Sequence, residues 1–526
     1  MQNDLTPGFM VLHGNRLEDL RSLVVDWMQK NPLHPLENEV FLVQSNGIAQ
    51  WLKLALAEPS AGGIAAAVQV ELPARFLWEN YRRVLGSHTI PERSPLDKEP
   101  LTWRLLRLLP SLLEDERFSP LRHFLADDAD LRKRYQLAER LADLFDQYQV
   151  YRADWLADWA QDRDQLRTRK GECALEAEQR WQPALWRALL ADVGHQEVAS
   201  SRAGVHPRFV EALANAEHAP AGLPRRVIVF GISSLPAQTV EALAAMARFC
   251  QVLLCVSNPC RHYWGDIITD QALLRAEIRR HARKAGQPDL LAPELLHQHA
   301  HPLLAAWGKQ GRDYLSLLDQ YDNPDAYRER FSRIDVFDIP EENDKPTHLL
   351  GQLQNDILEL RPLAETRTAW PAVSAEKEMS LRFHLAHSAQ REVEILHDQL
   401  LARFSADPSL RPRDIIVMVP DINVYAPHIE AVFGQYRHQK YNQDYIDERY
   451  IPFTLADQSQ RGREPLLVAL EYLLHLPERR LTVSEVLDLL DVAALRARFG
   501  LHENDLPILH RWITGAGVRW GLNAAQ

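Results

Sequence analysis

The strand–turn–helix at His13-Gly14-Asn15-Arg16-Leu17 stands where a phosphate-binding fold would carry a glycine-rich loop ending in Gly-Lys-Ser/Thr. Backbone N–H groups would cradle the phosphates, the Lys would neutralise them and the hydroxyl would hold magnesium. A single glycine is present, and no stretch of the chain fits Gly-x-x-x-x-Gly-Lys-Ser/Thr. The later run Val227-Ile228-Val229-Phe230-Gly231-Ile232-Ser233 lacks the acidic pair that a nucleotide-hydrolysing strand needs for magnesium and water. There is no Gly-x-Ser-x-Gly and no Asp…Glu-x-Lys nuclease pattern; Asp127-Asp128 and Glu341-Glu342 read as solvated charge near turns. Cys173, Cys250, Cys255 and Cys260 contain no Cys-x-x-Cys pair, so the chain's thiols read as structural rather than zinc-binding.

A different chemistry is available between residues 137 and 152. Leu137, Leu141, Leu144, Phe145 and Tyr148 recur at helical spacing and face a core or a partner. Asp143, Asp146 and Gln147 then share a polar face at i, i+3 and i+4. Carboxylates repel phosphate, but they accept from the N–H donors of cytosine or of guanine's pairing edge, which a single strand exposes. Arg152 has the fork to read guanine acceptors or to hold a carboxylate, and Trp78 offers a stacking face. Each has a plainer reading as well: Asp143 paired with Arg140 on a solvated helix, Trp51 and Trp78 in a core, Gln44 at a strand end, Leu72 packed before Pro73.

The elements that would position these residues can be read from apolar runs. Phe9 to His13, Val40 to Gln44, Ala67 to Val70, Val227 to Phe230 and Val252 to Val256 are continuous rather than alternating, as in parallel strands covered on both faces. Residues 17–29 and 46–57 carry helical periodicity between the first of them, which gives β-α-β-α order and an α/β sheet. Residues 95–200 are rich in Leu, Arg and Trp without a convincing strand, and read as a helical insertion reaching to about residue 220. Residues 271–330 read as more helix and loop, with Arg279 to Lys284 as a solvated helix face rather than a duplex-contacting patch. Thr366 to Glu378 reads as a linker, after which strand signals resume at Leu381 to Leu385, Ile415 to Val419 and Ile451 to Thr454. The expected layout is a first α/β domain over 1–370 and the start of a second over 371–526.

Composition narrows the class. The 526 residues carry 60 Lys+Arg against 72 Asp+Glu, a net charge of −12, which excludes binding of nucleic acid by bulk positive charge but not by a local basic channel. With 46% hydrophobic and 25% charged residues the chain is neither disordered nor fibrous. No apolar run reaches membrane-span length, Met1 to Leu5 does not read as a secretory signal, and sparse cysteine suits a reducing cytoplasm.

Several segments are more specific than a generic α/β domain. They are Phe41-Leu42-Val43-Gln44-Ser45-Asn46-Gly47-Ile48-Ala49-Gln50-Trp51-Leu52, Leu72-Pro73-Ala74-Arg75-Phe76-Leu77-Trp78, Asp143-Leu144-Phe145-Asp146-Gln147-Tyr148, Asn258-Pro259-Cys260-Arg261, Ser388-Ala389-Gln390-Arg391-Glu392-Val393-Glu394 and Pro412-Arg413-Asp414-Ile415-Ile416-Val417-Met418-Val419. From about His13 to Trp520 the chain resembles the RecC family, the gamma subunits of bacterial exodeoxyribonuclease V, the RecBCD complex.

The resemblance implies superfamily-one helicase-like parallel sheets with large helical insertions and lost nucleotide motifs. It implies RecB and RecD as partners and double-stranded DNA ends and single-stranded DNA as ligands. This chain would hold no cofactor, ATP and magnesium being used by the partners. It further implies a non-catalytic scaffold that splits the duplex and scans the 3′ strand for the recombination octamer Chi. The family's Chi-reading positions fall on Gln44, Asn46, Gln50, Leu72, Trp78, Asp143, Leu144, Asp146, Arg152 and Arg202. Asn46 replaces a different small polar residue of the family pattern but keeps a donor and an acceptor. Two alternatives stand beside this: an active helicase–nuclease subunit similar to AddB, whose iron–sulfur cysteine cluster this chain does not show, and a free-standing single-strand binder. Members of the RecC family are much longer, so the second domain is expected to be cut short by a gene-model break, a frameshift or a natural truncation.

Overall fold

The computed structural model describes residues 5–59, 63–126, 131–168, 171–194, 201–265, 301–323, 335–339, 346–374, 376, 378–436, 447–456 and 464–521. The chain divides into two compact units, Met1–Leu381 and Arg382–Gln526. The basic run Arg279 to Lys284 and the acidic pairs Asp127-Asp128 and Glu341-Glu342 lie outside the described residues.

The first unit opens with β1 (Gly8–Gly14), α1 (Leu17–Lys30), β2 (Glu39–Leu42), α2 (Asn46–Leu56), β3 (Val68–Glu71) and α3 (Pro73–Leu85). A long excursion follows: α4 (Lys98–Leu112), α5 (Ser119–Phe124), α6 (Arg132–Tyr151), α7 (Ala153–Ala160), β4 (Gln165–Thr168), β5 (Gly171–Ala174), α8 (Trp181–Val193) and α9 (Arg202–Asn215). The chain then returns through β6 (Arg226–Phe230), α10 (Ala237–Met246) and β7 (Gln251–Ser257). It continues with α11 (Pro302–Trp307), α12 (Lys309–Leu318), α13 (Leu349–Leu358) and α14 (Leu363–Ala369).

Among the described residues, five strands form one all-parallel sheet in the order β1-β7-β6-β2-β3. The register runs from Gly8 opposite Gln251 to Gly14 opposite Ser257, and Val40 lies between Val227 and Gln69. Alternate side chains sort to opposite faces. Met10, Phe41, Ile228, Phe230, Leu253 and Cys255 meet Leu20 and Val24 of α1 and Leu52 and Leu56 of α2. Val11, Val40, Leu42, Val227, Val229, Val252 and Leu254 meet α3, α9, α10 and α12 through Phe76, Phe209, Leu243 and Leu318. Both faces of the inner strands are covered, which is why they read as apolar runs, while the edge strand β3, Val68–Glu71, alternates and is half-buried.

A buried charge closes the sheet. Arg226, fully buried at the start of β6, donates to Glu39 Oε1 (2.8 Å), Gln251 Oε1 (2.9 Å) and the Asn31 carbonyl (2.6 Å). It therefore joins β2, β6, β7 and the end of α1 at one point. Burial draws the Glu39 carboxyl upward and the guanidinium downward, and their mutual attraction opposes both shifts.

The excursion forms a helical core of its own around Leu101, Leu105, Phe145, Trp159, Leu185 and Trp186. It is not purely helical: β4 and β5 form an antiparallel hairpin. Its strands are polar and exposed or half-exposed, so no apolar run announces them. The hairpin is held instead by charge. Buried Asp158 accepts from Arg167 Nε (2.6 Å) and Nη2 (2.7 Å) and from Gln165 Nε2 (3.1 Å), with Arg163 2.7 Å away.

Thr366 to Glu378 is not a plain linker, because α14 runs into it and buried Asp356 anchors it. Thr366 Oγ1 (2.8 Å) and Trp370 Nε1 (2.6 Å) both donate to that carboxylate.

The second unit contains α15 (Ala389–Ala406), α16 (Ile422–Phe433), α17 (Pro465–Leu474), α18 (Val483–Leu490), α19 (Ala493–Arg498) and α20 (Leu506–Ala516). A small core joins Val393, Ile429, Val432, Phe433 and Ile451. Strands were expected at Leu381 to Leu385, Ile415 to Val419 and Ile451 to Thr454, but these segments pair with no strand among the described residues. Phe383 and Met418 are 93% and 88% exposed. A strand is defined by its ladder, and an apolar run without a neighbour cannot supply one.

Two outcomes follow for stability. Arg226→Met strands the buried Glu39 carboxylate, and denaturant melts are expected to show a loss of about 3–5 kcal/mol, partly recovered in Arg226→Met/Glu39→Gln. The Asp158 carboxyl is held down to about 2, chiefly by the Arg167 hydrogen bonds. A depressed carboxyl stabilises above its unfolded value, near about 3.9, and that contribution disappears as pH falls through the folded value. An acid titration followed by proteolysis at the hairpin is therefore expected to show a step in the wild type that Asp158→Asn lacks.

Candidate nucleic-acid interface

The carboxyl ends of parallel strands are where open α/β sheets place ligands. Gln44 follows β2 there, and Leu72 follows β3, the neighbouring strand whose Glu71 is in register with Leu42. Ser45 caps α2 by accepting from the Ile48 N–H (3.4 Å), so Asn46 and Gln50 ride the first turns of that helix. Gln44, Asn46 and Gln50 are exposed, as is Leu72, the N-cap of α3.

Trp78 lies in the second turn of α3. Its Nε1 donates to the Glu92 carbonyl (2.9 Å), and Arg82 Nε, one turn on, donates to the Ile90 carbonyl (3.3 Å). These bonds staple residues 87–97 along α3. Between them opens a cavity of about 620 Å³ lined by Arg75, Trp78, Arg82, Arg93, Asp97 and Arg202 among others. Arg202 comes from the first turn of α9, which is locked to α3 from behind. A 2.9 Å hydrogen bond joins the Tyr81 hydroxyl to His206 Nδ1, and another of 2.9 Å joins His206 Nε2 to Glu241 of α10. Burial pushes the Tyr81 phenol well up, so it stays neutral.

The same cluster takes in two carboxylates of α6. Arg202 Nη1 lies 3.8 Å from Asp146 Oδ1, and Arg202 Nη2 lies 3.1 Å from Asp97 Oδ1. Lys98 Nζ donates to Asp143 Oδ1 (2.8 Å), and Gln147 Nε2 donates to Asp143 Oδ2 (3.1 Å). The ammonium of Lys98 holds the Asp143 carboxyl below its ordinary range. Asp146 moves the other way: burial raises it, Arg202 opposes, and Asp97 and Asp143 add to the rise. Two neighbouring carboxyl groups thus differ in character, one a firm acceptor and one closer to carrying a proton.

Trp78 and Arg202 line one cavity, and Asp146 and Asp143 are joined to it through Arg202 and the Asp97-Lys98 pair. Leu144 is half-buried on α6 and stands outside the helical core that takes Leu141 and Phe145. Arg152 does not join the cluster. It ends α6, six residues and about 9 Å along the axis from Asp146. Its fork is occupied by Asp154 (3.0 and 2.8 Å) and the Arg167 carbonyl, and its guanidinium lies 3.7 Å from the centre of the Trp155 ring. The carboxylate it holds is Asp154. Asp143 pairs with Lys98 rather than Arg140. Trp51 takes the plainer role, packed on Phe230 under Arg21. Asp97 and Lys98 were not singled out from the sequence; the available signal was a Ser-x-x-Asp turn opening a leucine-rich helix.

Cys250, Cys255 and Cys260 are buried on β7 and its flanks, and burial pushes the Cys250 thiol up to about 12. Among the described residues no helix is long and apolar enough to cross a membrane.

The family model described as the RecC N-terminal domain matches residues 9–360, and the RecBCD enzyme subunit RecC fourth domain matches residues 463–526. The chain is 41% identical to the RecBCD enzyme subunit RecC of Escherichia coli K12, across 98% of this chain and 45% of that protein. It is 36% identical to the subunit of the same name from Haemophilus influenzae, across 98% of this chain and 47% of the other. With the Mycolicibacterium smegmatis RecC the identity is 31%, across 98% and 43%. The chain therefore spans a little under half the length of the curated relatives it matches. A family model that covers two thirds of the sequence, together with relatives 41% and 36% identical across 98% of it, places the chain in the RecC family.

Proposed function

We propose that the chain acts as a DNA-binding, Chi-recognising scaffold subunit of a RecBCD-type complex, with RecB and RecD as partners. It splits incoming duplex ends, reads bases on the 3′ single strand, and leaves ATP and magnesium chemistry to its partners. The observation that carries this is the mixed cluster around the α3–α9 cavity. An aromatic face and an Arg fork line it, and two carboxyl groups of different character stand behind, Asp146 beside Arg202 and Asp143 beside Lys98. Stacking on an aromatic side chain is worth about 1–3 kcal/mol per base, and a well-aligned base-edge contact discriminates by about as much. Phosphate would meet the carboxylates unfavourably, whereas base N–H donors would not.

An inactive, superfamily-one helicase-like sheet is supported by what fills the end of β1. The Val336 carbonyl lies 2.7 Å from where a Cβ on Gly14 would stand, and the Val336 N–H donates to the His13 carbonyl. Asp338 lies 2.6 Å from Arg16, and its N–H donates to Asn15. The chain's own backbone and carboxylate take the room that a phosphate cradle needs.

Co-expression with RecB and RecD, followed by Chi-dependent cleavage, tests the assignment. The wild type is expected to respond to Chi, and Asp146→Ala to lose about tenfold or more of that response; equal recognition by both would refute the role given to Asp146. The isolated chain is expected to show no DNA-stimulated ATPase. Turnover that an Arg16 substitution abolishes would overturn the inactive-fold reading.

A further inference from the structure

The turn Ser94 to Lys98 connects the cavity wall to α4: Asp97 lines the cavity and Lys98 reaches Asp143 of α6. Buried Ser94 folds it: the Leu96 N–H donates to Ser94 Oγ (3.3 Å), the Asp97 N–H to the Ser94 carbonyl (3.1 Å), and the Ser94 N–H to Asp97 Oδ2 (3.1 Å). Fully buried Gln149 of α6 then donates to the Leu96 carbonyl (2.8 Å), which fastens the turn to the helix bearing Asp143 and Asp146. Asp97 is the N-cap of α4, yet its side chain makes no capping bond; Oδ1 is turned to Arg202 instead. Lys98, the first residue of α4, spends its ammonium on Asp143. The result is two short ionic chains from one rigid turn, Lys98 to Asp143 and Asp97 through Arg202 to Asp146.

We infer that Asp97 and Lys98 are positioning residues that set which bases the site accepts, by aiming Arg202 and Asp143; this rests on the base-reading role proposed above. Lys98 holds one oxygen of Asp143 and Gln147 the other, so the carboxylate presents only its remaining lone pairs to a base. Asp97 Oδ1 draws the Arg202 guanidinium toward it as an ion pair, and Arg202 in turn faces Asp146. The Lys98–Asp143 pair is about half exposed, so it adds little to stability while still fixing direction. Removing Lys98 frees Asp143 to meet donors it now cannot reach.

The test uses the chain assembled with RecB and RecD, challenged with duplex DNA carrying a randomised octamer, with cleavage enrichment scored base by base. Lys98→Met is expected to change the preference at one or two positions by about tenfold while the others keep theirs. Lys98→Arg should retain the wild-type pattern, and Asp97→Asn should alter a different position, since it acts through Arg202. A Lys98→Met pattern identical to wild type, or a uniform loss at all positions as for mere destabilisation, overturns the inference; Lys98→Gln repeats the test should the Met variant not assemble. Asp146→Ala is the separating arm. If it leaves the octamer preference intact, the base-reading site itself is wrong. If it changes the preference and the Lys98 and Asp97 variants do not, only their positioning role falls.

Discussion

Arg226 is the charge on which the first unit closes. The chain leaves the sheet after β3, builds a helical body of its own, and returns at β6, which inserts between β7 and β2. A parallel strand entering between two neighbours has no hairpin to set its register. Here one guanidinium does so, reaching Glu39 on β2, Gln251 on β7 and the end of α1 at once. A buried ion pair is a poor source of net stability, because desolvation offsets most of the attraction. Its value is geometric, since a slipped register would leave both charges unpaired in the core.

That register decides where the excursion ends, and so where the site forms. α9 is the last helix before β6, and it packs on the same sheet face as α3. The hydrogen bonds linking Tyr81, His206 and Glu241 then lock α3, α9 and α10 together. Arg202 stands one helical turn before His206, so the buried network holds its helix while its guanidinium points outward to the cavity. The carboxylates come from α6, inside the helical body, and the Ser94–Lys98 turn bridges the two. The site is built where the excursion's exit, its interior and the sheet meet.

The parts of this that were legible in the sequence are those encoded locally. The inner strands β2, β6 and β7 could be read because both faces are covered, so each carries an apolar run; the half-buried edge strand β3 alternates instead. The α6 face could be read because Asp143 and Asp146 repeat at helical spacing. What could not be read depends on distant partners. Asp143 chose Lys98, 45 residues away, over Arg140 nearby. Arg152 turned to Asp154 and Trp155, two and three residues on, which the spacing allowed but did not require. The β4–β5 hairpin is organised by a buried Asp158 among arginines, so it carries no apolar signature. In the second unit the apolar runs at Phe383 and Met418 announced strands, but pairing is a property of neighbours and not of a run.

The acidic balance of the chain takes a sharper meaning in this setting. At −12 the surface as a whole repels a polyanion, so any strand that binds must be drawn to a local exception. The α3–α9 cavity is such an exception, with Arg75, Arg82, Arg93 and Arg202 on its walls. Yet most of these arginines are answered by carboxylates: Arg75 by Glu79, Arg93 by Glu99, Arg202 by Asp97 and Asp146, while Arg82 donates to the Ile90 carbonyl. A site built for affinity to backbone phosphate would leave its cations free, because affinity of that kind comes from releasing counterions. Cations paired in place give up part of that affinity, and where the pair is hydrogen-bonded, as Lys98 with Asp143, the carboxylate gains a fixed direction. Under the function proposed above, such a groove would bind a moving strand weakly at most sequences and respond when the base edges match, as a reader of passing DNA requires.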